Sequence, residues 1–200
     1  MTITAEQVKA LRDRTGAGFM ECKAALTEAG GNSDDAVTIL RKRGLAQAAR
    51  KTGRSTKQGT VGSYIHMGGK IGVLVEVNCE SDFVARTDDF QTLVREIAMQ
   101  IAAADPRYIR REDVPAAELE QERAIFRAQF EGSGKPPQVV EKIVEGKLTS
   151  FFERTVLLDQ PSIRDGAVTI AQFIAQTVAK LGENITVSRF ARFKLGETQD

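Results

Sequence analysis

The sequence predicts an α+β protein: an N-terminal three-helix bundle, then a core of helices packed on a small three-stranded antiparallel sheet. Three observations carry that expectation. Short amphipathic segments separated by glycines fill about the first 52 residues. Near residue 60 the apolar period becomes alternating, and Gly68-Gly69 marks a hairpin. After residue 88 helical patterns return, and the alternating segment 184–195 supplies a third strand that can rejoin the hairpin.

Thr4 with Gln7 makes a capping-box start for the first helix, with Val8 and Leu11 at helical spacing. Gly16 and Gly18 break it. The second helix runs from about Phe19 to Ala29 and stops at Gly30-Gly31. Asn32 or Ser33 caps the third, in which Ala36, Val37, Leu40, Leu45 and Ala48 can face inward. A bundle of about 50 residues is marginal alone. Residues 52–59 contain no apolar side chain and read as a linker.

Thr60–Met67 and Lys70–Cys79 are the hairpin strands, with Ile71, Val73, Val75 and Val77 on one face. Phe90, Leu93, Val94, Ile97 and Ile101 then mark a helix ended by Asp105-Pro106. Pro115 opens another, to about Glu131, and residues 132–137 form a turn. Val140, Ile143, Val144, Leu148, Phe151, Phe152 and Val156 mark one long helix. Ile170, Phe173, Ile174, Val178 and Leu181 mark the last, ended by Gly182.

Composition excludes several classes. The 200 residues carry a net charge of +1, with 42% hydrophobic and 28% charged residues, ordinary for a globular protein. Split at residue 60, the balance becomes a basic end and a mildly acidic remainder. Residues 1–60 hold 11 basic and 6 acidic residues; residues 61–200 hold 17 and 21. One histidine rules out a multi-histidine metal site, and Cys22 and Cys79 are too far apart in sequence for a zinc knuckle. Isolated cysteines suit a reducing cytoplasm. No apolar run is long enough to span a membrane, and the first residues lack a signal-peptide pattern.

Candidate chemistry is sparse. His66 has no nucleophile motif near it and reads as structural or surface. Gly134-Lys135 fails as a phosphate loop: Gln129 stands where the first glycine is needed, and Pro136 follows the lysine. Asp88-Asp89 fits the first turn of a helix better than a metal site. No catalytic constellation emerges, so the chain is not expected to be an enzyme. Arg41, Lys42, Arg43, Arg50, Lys51, Arg54 and Lys57 meet no acid over residues 41–57. That run suits a solvated face, a phosphate backbone, or, fitting better, an edge that docks on an acidic partner protein.

Two segments stand out. Leu11-Arg12-Asp13-Arg14-Thr15-Gly16-Ala17-Gly18-Phe19-Met20-Glu21-Cys22-Lys23-Ala24-Ala25-Leu26 leads a glycine-flexed turn into two adjacent large apolar residues. Phe19 and Met20 cannot both point fully into so small a core; either one faces out as a docking patch beside Lys23, or both are partly buried. In Glu76-Val77-Asn78-Cys79-Glu80-Ser81-Asp82-Phe83-Val84-Ala85-Arg86 a strand ends just before a helix. Phe83 either packs beneath the helix start as a staple or projects from a loop toward a partner's pocket.

Together these segments resemble the signatures of the elongation factor Ts family. The first is Leu-Arg, two residues, Thr-Gly-Ala-Gly, an apolar residue and a Cys-Lys…Ala-Leu ending. The second is Glu-Val-Asn-Cys, a polar residue and Thr-Asp-Phe-Val-Ala. The stretches Gly132–Pro136, Val144–Lys147 and Arg189–Phe193 also look like the family's C-terminal part, so the resemblance covers essentially the whole chain. Ser81 replaces the usual Thr, Ala24 a usual polar residue, and Phe19 a frequent Met.

The resemblance implies a ubiquitin-associated-like domain at residues 1–54, and an α+β core and dimerisation domain at 55–200. It is similar to the short form of the family, without the duplicated core half and coiled-coil insertion. The implied function is cytoplasmic nucleotide exchange in translation elongation. The factor binds elongation factor Tu·GDP, displaces its magnesium and promotes GDP release so that GTP can rebind. Ser81, Asp82, Phe83 and Val84 would form the intruding segment. Arg12, Phe19, Met20, Lys23 and, more weakly, Lys51 would dock the N-terminal domain. A homodimer through the sheets is expected; a cofactor, a metal of its own, direct nucleotide binding, nucleic acid and membrane are not. Two other classes stay open: a scaffolding module using residues 1–54 alone, and an RNA-binding translation protein using residues 41–57.

Overall fold

The computed structural model describes residues 3–197. It is α+β, as the sequence predicts. Helix α1 spans Ala5–Thr15 and opens on the expected capping box: Gln7 N donates to Thr4 Oγ1 (3.3 Å) and Thr4 N to Gln7 Oε1 (2.9 Å). It closes at Gly16, in the left-handed region at φ 68°, whose N–H donates to the Arg12 carbonyl (2.7 Å). Helix α2 is Phe19–Glu28 and α3 is Ser33–Lys51. The α3 cap is Asn32, whose Oδ1 accepts from Asp34 N (2.9 Å) and Asp35 N (3.2 Å).

Val8, Leu11, Cys22, Ala25, Leu26 and Ala36 form the core of these helices, with Val37 and Leu40 half-buried around it. Leu45 departs from expectation and is exposed, while Gly44 is buried. A Cβ at Gly44 would stand 3.6 Å from the Ala179 methyl. The far half of α3 therefore packs through its smallest residue against a later helix, and the periodic extrapolation to Leu45 fails there.

Strand β1 is Gln58–Ile65 and β2 is Ile71–Cys79. Their turn is tied by Gly69 N to the His66 carbonyl (2.9 Å) and His66 N to the Ile71 carbonyl (2.9 Å). Val73, Val75, Val77 and Cys79 are buried on the expected face of β2. Helix α4, Asp82–Ala85, is a single turn where a loop was expected. Helix α5, Asp88–Ala104, buries Phe90, Leu93, Val94, Ile97 and Ile101, and carries Asp88 and Asp89 in its first turn.

Helix α6 is Ala116–Ala128, ending three residues earlier than expected; α7 is Pro137–Thr155, α8 is Ile170–Leu181 and β3 is Ile185–Lys194. The sheet order is β1-β2-β3, so the last strand does return to the hairpin, beside β2.

The chain divides into two compact units. The first takes the segments up to Val61, Glu76–Val94 and Gln172–Val187. It holds the three-helix core, the end of β2, α4 and most of α8. The expected linker is anchored within it: Asn184 Nδ2 donates to the Arg54 carbonyl (3.0 Å), and the Thr56 and Thr186 hydroxyls lie 3.0 Å apart.

The second unit takes Gly62–Val75, Arg95–Ala171 and the segment from Ser188 onward. Arg127 pairs with Glu141 (2.8 Å) and Arg123 with Glu145 (3.4 Å), joining α6 to α7. The buried Gln100 and Gln160 side chains satisfy each other (3.1 Å) and nearby backbone, as buried amides require. Arg192 donates to the Ala102 carbonyl (3.4 Å) and pairs with Asp105 (3.2 Å).

Candidate docking site

The site is built where β2 runs out. Cys79 is buried, and its thiol donates to the Ser81 carbonyl (3.1 Å). Burial, and after it the negative charge of Glu183, push the thiol above its ordinary value. Ser81 is the N-cap of α4: its Oγ accepts from Val84 N (3.3 Å). Thr87 secures the other end, donating to the Val84 carbonyl (2.8 Å) and accepting from Phe90 N (3.3 Å). Gln91 adds a donor to the Ala85 carbonyl (2.6 Å) and to Thr60 Oγ1 (3.1 Å). The turn is therefore held from β1 and α5.

Phe83 crowns this turn at 85% exposure. The two sequence alternatives are thus separated: the ring is no staple, and it projects. Asp82 beside it is exposed and pairs with Arg86 (2.9 Å). Val84 is half-buried. A large aromatic held in water on a backbone fixed at both ends is an arrangement suited to insertion into a partner.

Sequence reasoning missed what holds the turn from below. Glu183, just past the end of α8, accepts from Glu80 N (3.1 Å), Ser81 N (3.0 Å) and Ser81 Oγ (2.6 Å). In return Asn184 N donates to Glu80 Oε1 (2.6 Å), and Arg54 approaches the same carboxylate (3.6 Å). Lys51 sits at this corner too: its Nζ lies 3.8 Å from where a Cβ on Gly182 would stand. The weakest of the expected docking residues is thus beside Gly182, the residue before Glu183.

The other docking candidates lie on α1 and α2. Arg12 and Lys23 are exposed. Phe19 and Met20 are 46% and 70% exposed, so neither is sunk in the core and both present surface to solvent; the sequence left open one facing out or both partly buried. The reason is local. Gly18 starts α2, and its N–H is taken by Glu21 (3.2 Å), leaving the first turn on the rim while Cys22, Ala25 and Leu26 fill the core. Phe19 and Met20 precede Lys23 by four and three residues, so all three share one side of α2.

His66 is exposed just past the end of β1, with Nδ1 3.0 Å from the Tyr64 hydroxyl. Among the described residues no group of three or more His, Cys, Asp or Glu side chains could hold a metal ion. None of their helices is long and apolar enough to cross a membrane.

The model of the family described as Elongation factor TS matches residues 42–197. The chain belongs to the elongation factor Ts family. Elongation factor Ts of Fervidobacterium nodosum is 58% identical over 197 residues, covering 98% of this chain and 100% of the relative. That of Koribacter versatilis is 57% identical, covering 98% and 90%, and that of Solibacter usitatus 55%, covering 98% and 93%. Family membership makes the chain a translation elongation factor. These relatives extend the likeness through α1 and α2, which lie before the region matched by the family model.

Proposed function

We propose that this chain is a guanine-nucleotide exchange factor for elongation factor Tu and not itself an enzyme. The observation that carries the reading is the 85% exposed Phe83 on a turn fixed at both ends, within a chain of this family. Phe83 enters the GTPase domain of elongation factor Tu with Asp82 alongside, while Ser81 and Val84 shape the turn. The insertion displaces the magnesium ion of the partner, a principal charge clamp on the phosphates, and GDP leaves. GTP then rebinds from the pool. Burying the ring gives roughly 1.5–3 kcal/mol by area, enough to bias a pocket that exists only in the displaced form.

Thermodynamics requires no chemistry from the factor itself. If it binds nucleotide-free Tu more tightly than Tu·GDP by some factor, it weakens GDP by the same factor. Residues 1–54 form the docking domain, with Arg12, Phe19, Met20 and Lys23 on a second surface of Tu and Lys51 supporting it. Residues 55–200 form the core and dimerisation domain. In the second unit the alternation of β2 turns Val73 and Val75 inward and leaves Leu74 49% exposed; Ile65 and Phe193 are 67% and 57% exposed. These apolar side chains support a homodimer through the sheets. The setting is the cytoplasm, where translation takes place.

Release of labelled GDP from purified elongation factor Tu, with excess unlabelled nucleotide, tests the reading. Catalytic amounts of the chain should accelerate release manyfold. Release at the unassisted rate would overturn it.

A further inference from the structure

We propose that Glu183 is a positioning residue for nucleotide exchange, acting through Ser81 on the direction of Phe83; this deepens the exchange reading and rests on it. A four-residue helix is too short to sustain itself, because nucleation is not offset by propagation. Phe83 is almost wholly solvent-exposed, so its direction is set by the backbone of α4.

At its N-terminal end that backbone is capped by one hydroxyl, while Thr87 and Gln91 hold the other end. Ser81 Oγ accepts from Val84 N (3.3 Å) and lies 2.6 Å from Glu183 Oε1. An ionised carboxylate only accepts, so the single hydroxyl proton points at Glu183 and a lone pair is left for the Val84 amide. Donation to a charged acceptor also polarises the hydroxyl oxygen and strengthens what it accepts. The second carboxylate oxygen takes the Glu80 and Ser81 amides at 3.1 and 3.0 Å. One side chain thus orders the entry to the turn at three atoms, from a position 102 residues away.

The same corner reaches the N-terminal part of the first unit. Asn184, the next residue, donates its amide to Glu80 (2.6 Å) and its side chain to the Arg54 carbonyl (3.0 Å). Truncating Glu183 leaves α4 in place but releases its cap from a fixed orientation, so Phe83 samples directions that do not enter the partner.

The test measures labelled-GDP release from Tu·GDP against factor concentration for wild type, Phe83→Ala, Glu183→Ala, Glu183→Gln and the double variant Glu183→Ala/Phe83→Ala. Expected for Glu183→Ala is a loss of about tenfold in the maximal exchange rate, with the half-saturating concentration changed much less. Glu183→Gln keeps an oxygen for the backbone amides and should fall between it and wild type. Hydrogen exchange at the Val84 amide should quicken in Glu183→Ala. The double variant should be no slower than Phe83→Ala, because Glu183 acts through that ring.

If wild type leaves GDP release at the unassisted rate, the exchange reading itself fails; if wild type is active and Phe83→Ala matches it, Phe83 is not the inserting residue and the positioning role fails with it. If Phe83→Ala is slow while Glu183→Ala and Glu183→Gln match wild type, only the positioning role fails. Additive losses in the double variant would overturn it as well. Should Glu183→Ala unfold, the isosteric Glu183→Gln carries the same comparison.

Discussion

A Cβ placed on Gly59 would lie 2.2 Å from the carbonyl oxygen of Val77. Gly59 also has φ 145°, so β1 approaches β2 there as only glycine allows. Gly59→Ala must part the two strands just before β2 delivers Cys79 to the docking turn. The expected cost is more than about 1 kcal/mol, read as a lowered denaturant midpoint. An unchanged midpoint would mean that the hairpin yields easily at this point.

Met20 and Lys23 lie on the rim of α2, outside its buried core. Met20→Ala and Lys23→Ala should therefore shift stability by less than about 0.5 kcal/mol. Each should weaken binding to elongation factor Tu, with Met20→Ala costing about 1 kcal/mol or more in a titration. Full affinity in both would remove α2 from the interface.

Leu74, exposed on β2, tests self-association. Sedimentation of the wild-type chain should give a dimer, and Leu74→Glu, which puts a charge on the apolar strand face, should shift it toward monomer. A wild-type chain that stays monomeric at tens of micromolar would contradict the dimer.

Cys22 and Cys79 are both buried, and burial pushes both thiols above their ordinary value. The folded chain thus holds these protons to higher pH than the unfolded one. Their contribution to stability is intact below the ordinary cysteine value of about 8.5 and is lost as pH rises through the raised folded values. Denaturant midpoints should fall from about pH 8.5 upward, less steeply in Cys79→Ala relative to its own neutral-pH midpoint. The same burial makes alkylation of the folded chain slow at neutral pH.

Most of the fold was legible because its signals are local. Periodicity placed α5 and α8, the Thr4 box placed α1, and alternation named the buried face of β2. Leu45 was misjudged because α3 changes neighbours halfway along, and no local pattern records that Gly44 faces Ala179. The segment around Phe83 was visible as a motif, and the choice between staple and projection was open until its exposure was known. Glu183 was missed for a different reason. Its meaning comes entirely from a contact across 102 residues, and in sequence it is only an acid after a helix-ending glycine. The anchoring of the expected linker was hidden similarly: Arg54 is held through its backbone carbonyl, which composition cannot reveal.

Labelled-GDP release from elongation factor Tu should be compared for the wild-type chain and Phe83→Ala at equal concentrations, with thermal unfolding run in parallel. An 85% exposed ring contributes little to its own fold, so the unfolding temperatures should coincide. Exchange should drop by tenfold or more, in line with the roughly 1.5–3 kcal/mol of burial that is lost. Equal release rates with equal stability would contradict the assignment of Phe83 as the inserting residue.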